Sequence, residues 1–357
     1  MTTRLALLGA GKIGDAIINL LGGTGDYEIT VADRDAERIR QLSASKVRAV
    51  CVDGADEGAL RALLRGHDVV VSAAPFFLTP TIATIAKSVG AHYFDLTEDV
   101  SSTRAVKALA VGAATALVPQ CGLAPGYVSI VAFDLARDFD SLRDVQMRVG
   151  ALPIYPTNAL KYNLTWSTDG LINEYCNPCE AIIDGELKET LALEENEAFS
   201  LDGIAYEAFN TSGGLGTLCD TLAGRVENLN YKTVRYPGHR DIVKMLIRDL
   251  RLGQRRALLK DVLETAIPMT LQDVVLIFIT VSGTKEGRLT QQSYAKKIYS
   301  QRVNGRHLSA IQLTTAAGLC AMVDLLQEGK LPQHGLVRQE EAALPDFMAN
   351  RFGRYYQ

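Results

Sequence analysis

The sequence predicts an α/β protein: a doubly wound parallel sheet, followed by an α+β domain with a mainly antiparallel sheet. Three observations carry this. Apolar strands alternate with amphipathic helices over the first 120 residues. A glycine-rich turn joins the first strand to the first helix. After residue 126 the rhythm changes to loop-rich sequence and one long hairpin. With 357 residues, 47% of them hydrophobic, the chain can bury two cores.

The elements follow in order. RLALL is a strand, followed by a helix over 13–22. EITVAD is a strand, followed by a helix over 35–44. KVRAVCVD is a strand, followed by a helix over 57–65. DVVVSAAP is a strand, followed by a helix over 79–89. AHYFDLT is a strand, followed by a helix over 101–112, and TALVPQC closes the series. CGLAPG at 121–126 turns the chain into a helix, VSIVAFDLARDF, and then a strand, VQMRVGALP. Residues 154–240 read as loop-rich, with turn signals and aromatics. DVVLIFITVSGTKEGRLTQQSYAKKIYS reads as a hairpin around a glycine-containing turn. SAIQLTTAAGLCAMVDLLQEGKL reads as a long amphipathic helix that packs back on the first domain. The expected domains are 1–122, 123–308 and a C-terminal segment 309–357.

Composition excludes several classes. A net charge of −4 offers no basic surface for nucleic acid or an anionic membrane. The apolar run VVVSAAPFFL is too short to span a bilayer, and a strand begins too early for a signal peptide. A soluble cytosolic protein is expected. Six scattered cysteines argue for reduced thiols rather than a disulfide framework. Cys176 and Cys179 form a CxxC, but no second ligand pair accompanies it, so no metal site is expected.

Gly9, Gly11 and Gly14 spell GxGxxG between a strand and a helix, and Asp33 closes the second strand 22 residues after Gly11. This is the context a dinucleotide requires. Gly9 permits the tight turn, Gly11 lets the backbone approach the pyrophosphate, and Gly14 lets the helix lie close to the strand. The helix N-terminus, opened by Lys12 and Ile13, turns N–H groups and a positive dipole end toward the phosphates. Asp33 can accept from the ribose hydroxyls, which favours NAD; Arg34 beside it can hold a 2′-phosphate, which keeps NADP open. Asp53, ending the third strand, is placed near the adenine or caps the next helix. Ser72, Ala73, Ala74 and Pro75 end the fourth strand, where small residues suit a backbone lying along the cofactor. Leu123, in GLAPG, completes the cofactor set.

Ligands of an open parallel sheet sit beyond the carboxyl ends of its strands. Asp95 is at such an end. The later chain supplies three polar clusters: Lys161, Tyr162 and Asn163 in LKYNLTWSTDG; Thr211, Ser212 and Gly213 in NTSGGLGT; and Lys232, Arg235 and His239 in YKTVRYPGH.

GAGKIG, HDVVVSAAP, HYFDLTED, VPQCGLAPG, KYNLTWSTDG, TSGG, YKTVRYPGH and GLVRQEE fall in the order found in the saccharopine dehydrogenase-like family, which the chain resembles over most of its length. Within it the pattern is most similar to the lysine 6-dehydrogenase branch. The resemblance implies a Rossmann domain, and a substrate domain that also makes a homodimer contact. It implies NAD-dependent oxidation of the ε-amine of L-lysine to allysine, which cyclises. Asp95 or His239 is then the base that takes the amine proton. Arg235 is the cation best suited to the α-carboxylate, ahead of Lys161 and Lys232. Asn163, Thr211 and Ser212 orient the amino acid. Asn163 stands where saccharopine reductases usually carry lysine, which shifts weight toward a smaller substrate. Two alternatives remain: a reductase acting on saccharopine or a carboxylated polyamine, and a protein that senses NAD without catalysis.

Overall fold

The computed structural model describes residues 2–42 and 47–357. The last two residues of the helix expected at 35–44, and Lys46 at the head of the third strand, lie outside the described residues. The chain forms two compact units. One comprises Met1–Tyr127, Arg302–Arg306 and Gln312–Gln357; the other comprises Val128–Gln301 and His307–Ile311.

The first unit opens with β1 (Thr3–Leu8), α1 (Lys12–Leu21), β2 (Tyr27–Asp33), α2 (Ala36–Leu42) and β3 (Arg48–Cys51). It continues with α3 (Glu57–Leu64), β4 (Val69–Ser72), α4 (Thr79–Val89), β5 (His92–Asp95), α5 (Val100–Ala110) and β6 (Ala116–Val118). The strands lie parallel in the order β6-β5-β4-β1-β2-β3, extended beyond β6 by a two-residue strand, Gly335–Leu336. Strand order reverses between β4 and β1, which opens the crevice where such sheets bind ligands. Leu5, Ala6 and Leu7 are wholly buried. So are Val69, Val70 and Val71, as a sheet covered on both faces demands.

The C-terminal segment completes this unit. The helix Ala310–Gln327 is apolar almost all round and 83% buried. This corrects the expectation of an amphipathic helix: a helix without a polar face is a core helix. Asp324 on it accepts from the Tyr27 hydroxyl at 2.5 Å, from Arg351 at 2.7 and 2.8 Å, and from Asn350 at 3.2 Å.

The second unit begins with α6, whose helix runs Tyr127–Ala136, and β7 (Ser141–Pro153). Next come α7 (Thr168–Cys176), β8 (Cys179–Ile183), β9 (Glu186–Thr190), β10 (Glu197–Leu201) and β11 (Ile204–Asn210). They are followed by α8 (Leu218–Leu222), β12 (Val226–Arg235), α9 (His239–Lys244), α10 (Arg256–Ala266), β13 (Asp273–Lys285) and β14 (Arg288–Tyr299). The sheet order is β10-β11-β12-β7-β13-β14, with the β8–β9 hairpin attached to β12. Pairing is antiparallel except between β12 and β7, so the sheet is mixed.

The region expected to be loop-rich keeps long loops and also carries the five strands β8 to β12. Its hairpins turn on Asp184-Gly185 and Asp202-Gly203, each with both residues at positive φ. That is the backbone of a tight two-residue hairpin turn, for which Asp-Gly is a preferred pair.

Replacing Asp324 with Ala strands the Tyr27 hydroxyl and one side of Arg351. Urea unfolding is expected to show a loss of about 3 kcal/mol.

Candidate active site

The glycine loop follows β1. Gly9 has φ +102°, and a Cβ there would sit 2.5 Å from the Ala73 carbonyl oxygen. A Cβ on Gly14 would sit 2.0 Å from the Gly9 carbonyl oxygen. Both glycines are thus required by the protein's own packing. Gly11 is different: its nearest neighbour would be the Arg38 guanidinium at 3.9 Å, an ordinary contact. Gly11 is also the N-cap of α1, and no side chain caps it. An open cradle over uncapped N–H groups fits a pyrophosphate.

Asp33 braces this loop. One carboxylate oxygen accepts from the Ala10 N–H at 2.7 Å and the other from the Asp35 N–H at 2.9 Å. Each oxygen keeps a second lone pair for a ribose hydroxyl. Arg34 is exposed, as are Lys12 and Pro75; Ile13, Ala73 and Ala74 are half-buried, and Leu123 is buried. Arg38, which sequence reasoning missed, lies beside Gly11 and pairs with Asp35 at 3.5 Å. Asp53 is not the cap of α3. It accepts from the Ala55 N–H in its own turn, and Asp56 caps the helix through Ala59.

Asp95 ends β5 beside Ser72 of β4. Its Oδ1 accepts from the backbone N–H groups of Thr97 at 3.0 Å and Gln120 at 2.9 Å. Oδ2 is buried with no partner, as are the hydroxyls of Ser72 and Tyr93. Tyr93 lies close enough to influence the carboxylate, but not in good hydrogen-bond geometry. Burial raises the Asp95 carboxyl to about 6, against the pull of the two N–H groups. Asp95 is 1% exposed and clamps the turns after β5 and β6.

In the second unit Tyr162, Tyr175, Phe209, Arg235 and His239 form one cluster. The Arg235 guanidinium lies 4.8 Å from the centre of the Tyr162 ring and 5.8 Å from that of Tyr175. Its Nε donates to the Tyr175 hydroxyl at 2.9 Å and its Nη1 to the Val234 carbonyl at 2.8 Å. Both partners are neutral, and the field of Glu174 also favours the charged guanidinium. His239 packs edge-on against Tyr162 and stacks with Phe209. Burial first, then the Arg235 charge, pushes His239 down to about 3. It is neutral at physiological pH, and both ring nitrogens are engaged within the protein, Nε2 with the Tyr175 hydroxyl at 3.1 Å and Nδ1 with the Leu160 carbonyl at 2.8 Å, which leaves neither free for the expected role as the base. Glu207 holds the turn before it, accepting from the N–H groups of Gly238 at 3.0 Å and Arg240 at 2.7 Å.

The other expected contacts are spent within the protein. Lys232 points to the face of β12 opposite Arg235, because residues three apart in a strand cannot share a face. Its Nζ donates to the Glu195 carbonyl at 2.7 Å and pairs with Glu197 at 3.6 Å, which removes it from the substrate set. Lys161 is exposed and donates to the Pro237 carbonyl. The Thr211 hydroxyl meets that of Thr233, and the Ser212 hydroxyl donates to the Pro178 carbonyl. Gly213 takes φ +89° in the turn that follows. Asn163 donates to the Pro268 carbonyl, and its Oδ1 is buried without a partner. Cys176 closes α7 and Cys179 opens β8; burial raises both thiols, Cys179 to about 12, so neither is a reactive thiolate.

Two outcomes test this geometry. Gly11→Ala should fold like the native protein but bind nucleotide at least tenfold more weakly, whereas Gly14→Ala should lose stability outright; calorimetry and nucleotide titration separate them. Asp95→Asn removes a buried charge. The raised carboxyl is protonated in the fold below about 6 and pays for burial above it. The variant should therefore gain on the native protein as pH rises from about 4 to 6, by up to about 3 kcal/mol in urea unfolding, and the gap should stay flat beyond.

Comparison with known proteins gives the family and the fold. Residues 5–118 match the family model described as the saccharopine dehydrogenase NADP binding domain, and residues 122–354 match the saccharopine dehydrogenase C-terminal domain. The chain is similar to saccharopine dehydrogenase [NADP(+), L-glutamate-forming] of Saccharomyces cerevisiae, 26% identical over 263 residues, 69% of this chain and 58% of the yeast enzyme. It is also similar to mitochondrial alpha-aminoadipic semialdehyde synthase of Rattus norvegicus, 22% identical over 192 residues, 52% of this chain and 21% of the rat protein. It thus spans less than two thirds of the length of these curated relatives. The solved apo structure of the yeast L-Glu-forming saccharopine dehydrogenase superposes with a TM-score of 0.78 at 18% identity, covering 97% of this chain and 96% of that one, which establishes the shared fold. The chain belongs to the saccharopine dehydrogenase family, and residues 5–118 are that family's NAD(P)-binding domain.

Proposed function

We propose that the protein is an NAD(P)-linked oxidoreductase that oxidises the ε-amine of L-lysine. The observation that carries this is Arg235: a single buried guanidinium in an aromatic cage, with only neutral hydrogen-bond partners. A cation so placed calls for an anionic ligand, and a guanidinium suits a carboxylate held by two parallel bonds. Lys161 and Lys232 are turned to backbone carbonyls, so the cluster offers one cation for one carboxylate. Lysine carries one; saccharopine carries three. Asn163 in place of a lysine points the same way.

The ε-ammonium, with an ordinary pKa of about 10.4, must lose its proton before a hydride can leave its carbon. His239 has both ring nitrogens engaged within the protein, and turnover is expected to follow the neutral fraction of the amine and to climb toward alkaline pH. The nicotinamide nucleotide, when bound, accepts the hydride. Water then hydrolyses the resulting imine to the aldehyde, with release of ammonia. Asp33 supports NAD, while Arg34 and Arg38 next to it offer the cations that a 2′-phosphate needs. The activities for which the relatives are named favour a second reading, oxidation of saccharopine.

Reduced-nicotinamide absorbance, followed with lysine or saccharopine and with NAD or NADP at alkaline pH, tests both. Growth of the band with lysine and release of ammonia is the expected result; growth with saccharopine alone moves the protein to the second reading. Arg235→Ala should raise the KM for lysine about 10- to 100-fold and leave nucleotide affinity unchanged.

A further inference from the structure

Three side chains of the second unit are joined head to tail. A guanidinium only donates, so the Tyr175 oxygen, 2.9 Å from Arg235 Nε, accepts. That oxygen lies 3.1 Å from His239 Nε2. The other ring nitrogen, Nδ1, is 2.8 Å from the Leu160 carbonyl oxygen. A carbonyl only accepts, so Nδ1 carries the proton and Nε2 presents its lone pair. The Tyr175 proton is left one destination, Nε2. Arg235 Nε–H to Tyr175, Tyr175 O–H to His239, and His239 Nδ1–H to Leu160 therefore run in a single direction. Protonation of the imidazole would break that direction, and the ring stays neutral through the physiological range.

The far end of the relay is also fixed. Lys161, next to Leu160, takes φ +50° and donates to the Pro237 carbonyl, two residues before His239. The relay thus runs between two mutually stapled turns and the last residue of β12. At Arg235 it holds the Nε edge, while the Val234 carbonyl takes one Nη1 proton and the Tyr162 ring lies under the plane. Of the five N–H donors of an arginine, three remain for a ligand.

We infer that Tyr175 and His239 are positioning residues: they fix the rotation of the Arg235 guanidinium, so that its remaining donors meet the substrate carboxylate already aligned. This rests on the reading of Arg235 as the carboxylate clamp. It assigns Tyr175 a role in substrate specificity and gives His239 a role in place of proton transfer.

Tyr175→Phe keeps the ring and removes only the hydroxyl. The expected result is a KM for lysine raised roughly tenfold, a kcat within a factor of two, and unchanged nucleotide affinity. With pentane-1,5-diamine, which is lysine without its carboxylate, kcat/KM should change less than twofold. A packing defect would lower both substrates alike, and that result, or an unchanged lysine KM, overturns the inference. His239→Leu should reproduce the lysine effect. His239→Gln, whose amide oxygen can accept the Tyr175 proton, should restore most of the affinity; equal loss in both variants also overturns it. If the native protein turns over saccharopine and not lysine, the substrate reading fails, while the KM for saccharopine in Tyr175→Phe still decides the inference.

Discussion

A guanidinium taken out of water is the constraint around which the second unit's cluster is organised. Moving an ion into a protein interior costs several kcal/mol even after relaxation. Arg235, 3% exposed, meets that cost with π-faces, a phenol oxygen and a carbonyl. Its charge then dictates the state of its neighbours. His239, held down first by burial and then by that charge, stays neutral and is used as an acceptor. The hydrogen-bond partners of Arg235 are neutral, and the buried Glu174 favours its charged form through its field.

The nucleotide half rests on sterics rather than charge. Gly9 and Gly14 are glycines because backbone atoms of the same unit occupy the space of their side chains. Either would be needed in a packed strand–loop–helix turn that bound nothing. Gly11 has room for a Cβ, so its bare backbone serves something outside the protein. Asp33 links the two requirements: it ties Ala10, inside the loop, to the end of β2, and so holds the cradle at the place where a ribose would reach it.

The parallel sheet was legible because each of its signals is local: an apolar run, a glycine turn, an amphipathic helix. The helix over 79–89 is found as read. The mixed sheet was less legible because its short strands β8 to β11 are paired through hairpins and partly exposed on both faces, which blurs alternation. Yet Asp184-Gly185 and Asp202-Gly203 carried the hairpin signal in plain view. Strand parity alone separates Lys232 from Arg235, three residues on. Tyr175 was not legible, since nothing in LINEYCNPC marks a tyrosine at the end of a helix as the partner of an arginine 60 residues later. The neutrality of His239 was equally hidden, because it depends on burial and on a neighbouring charge, and neither is a property of sequence spacing.

Buried polar atoms without partners show where the fold departs from self-sufficiency. Such atoms cost about 1–3 kcal/mol each, so a chain keeps few of them. Here Ser72, Tyr93 and Asp95 contribute three at the carboxyl ends of β4 and β5, and Tyr162, Asn163 and Thr165 contribute three in a four-residue stretch of the second unit. Both groups fall inside the motifs HDVVVSAAP, HYFDLTED and KYNLTWSTDG. Within those motifs Asp95 and Asn163 also serve the fold directly, through the N–H groups of Thr97 and Gln120 and the carbonyl of Pro268. An apolar side chain at either position would strand those backbone groups. Asp95 and Asn163 thus each spend one polar atom on the local backbone and leave the other oxygen buried without a partner, a cost that packing does not require.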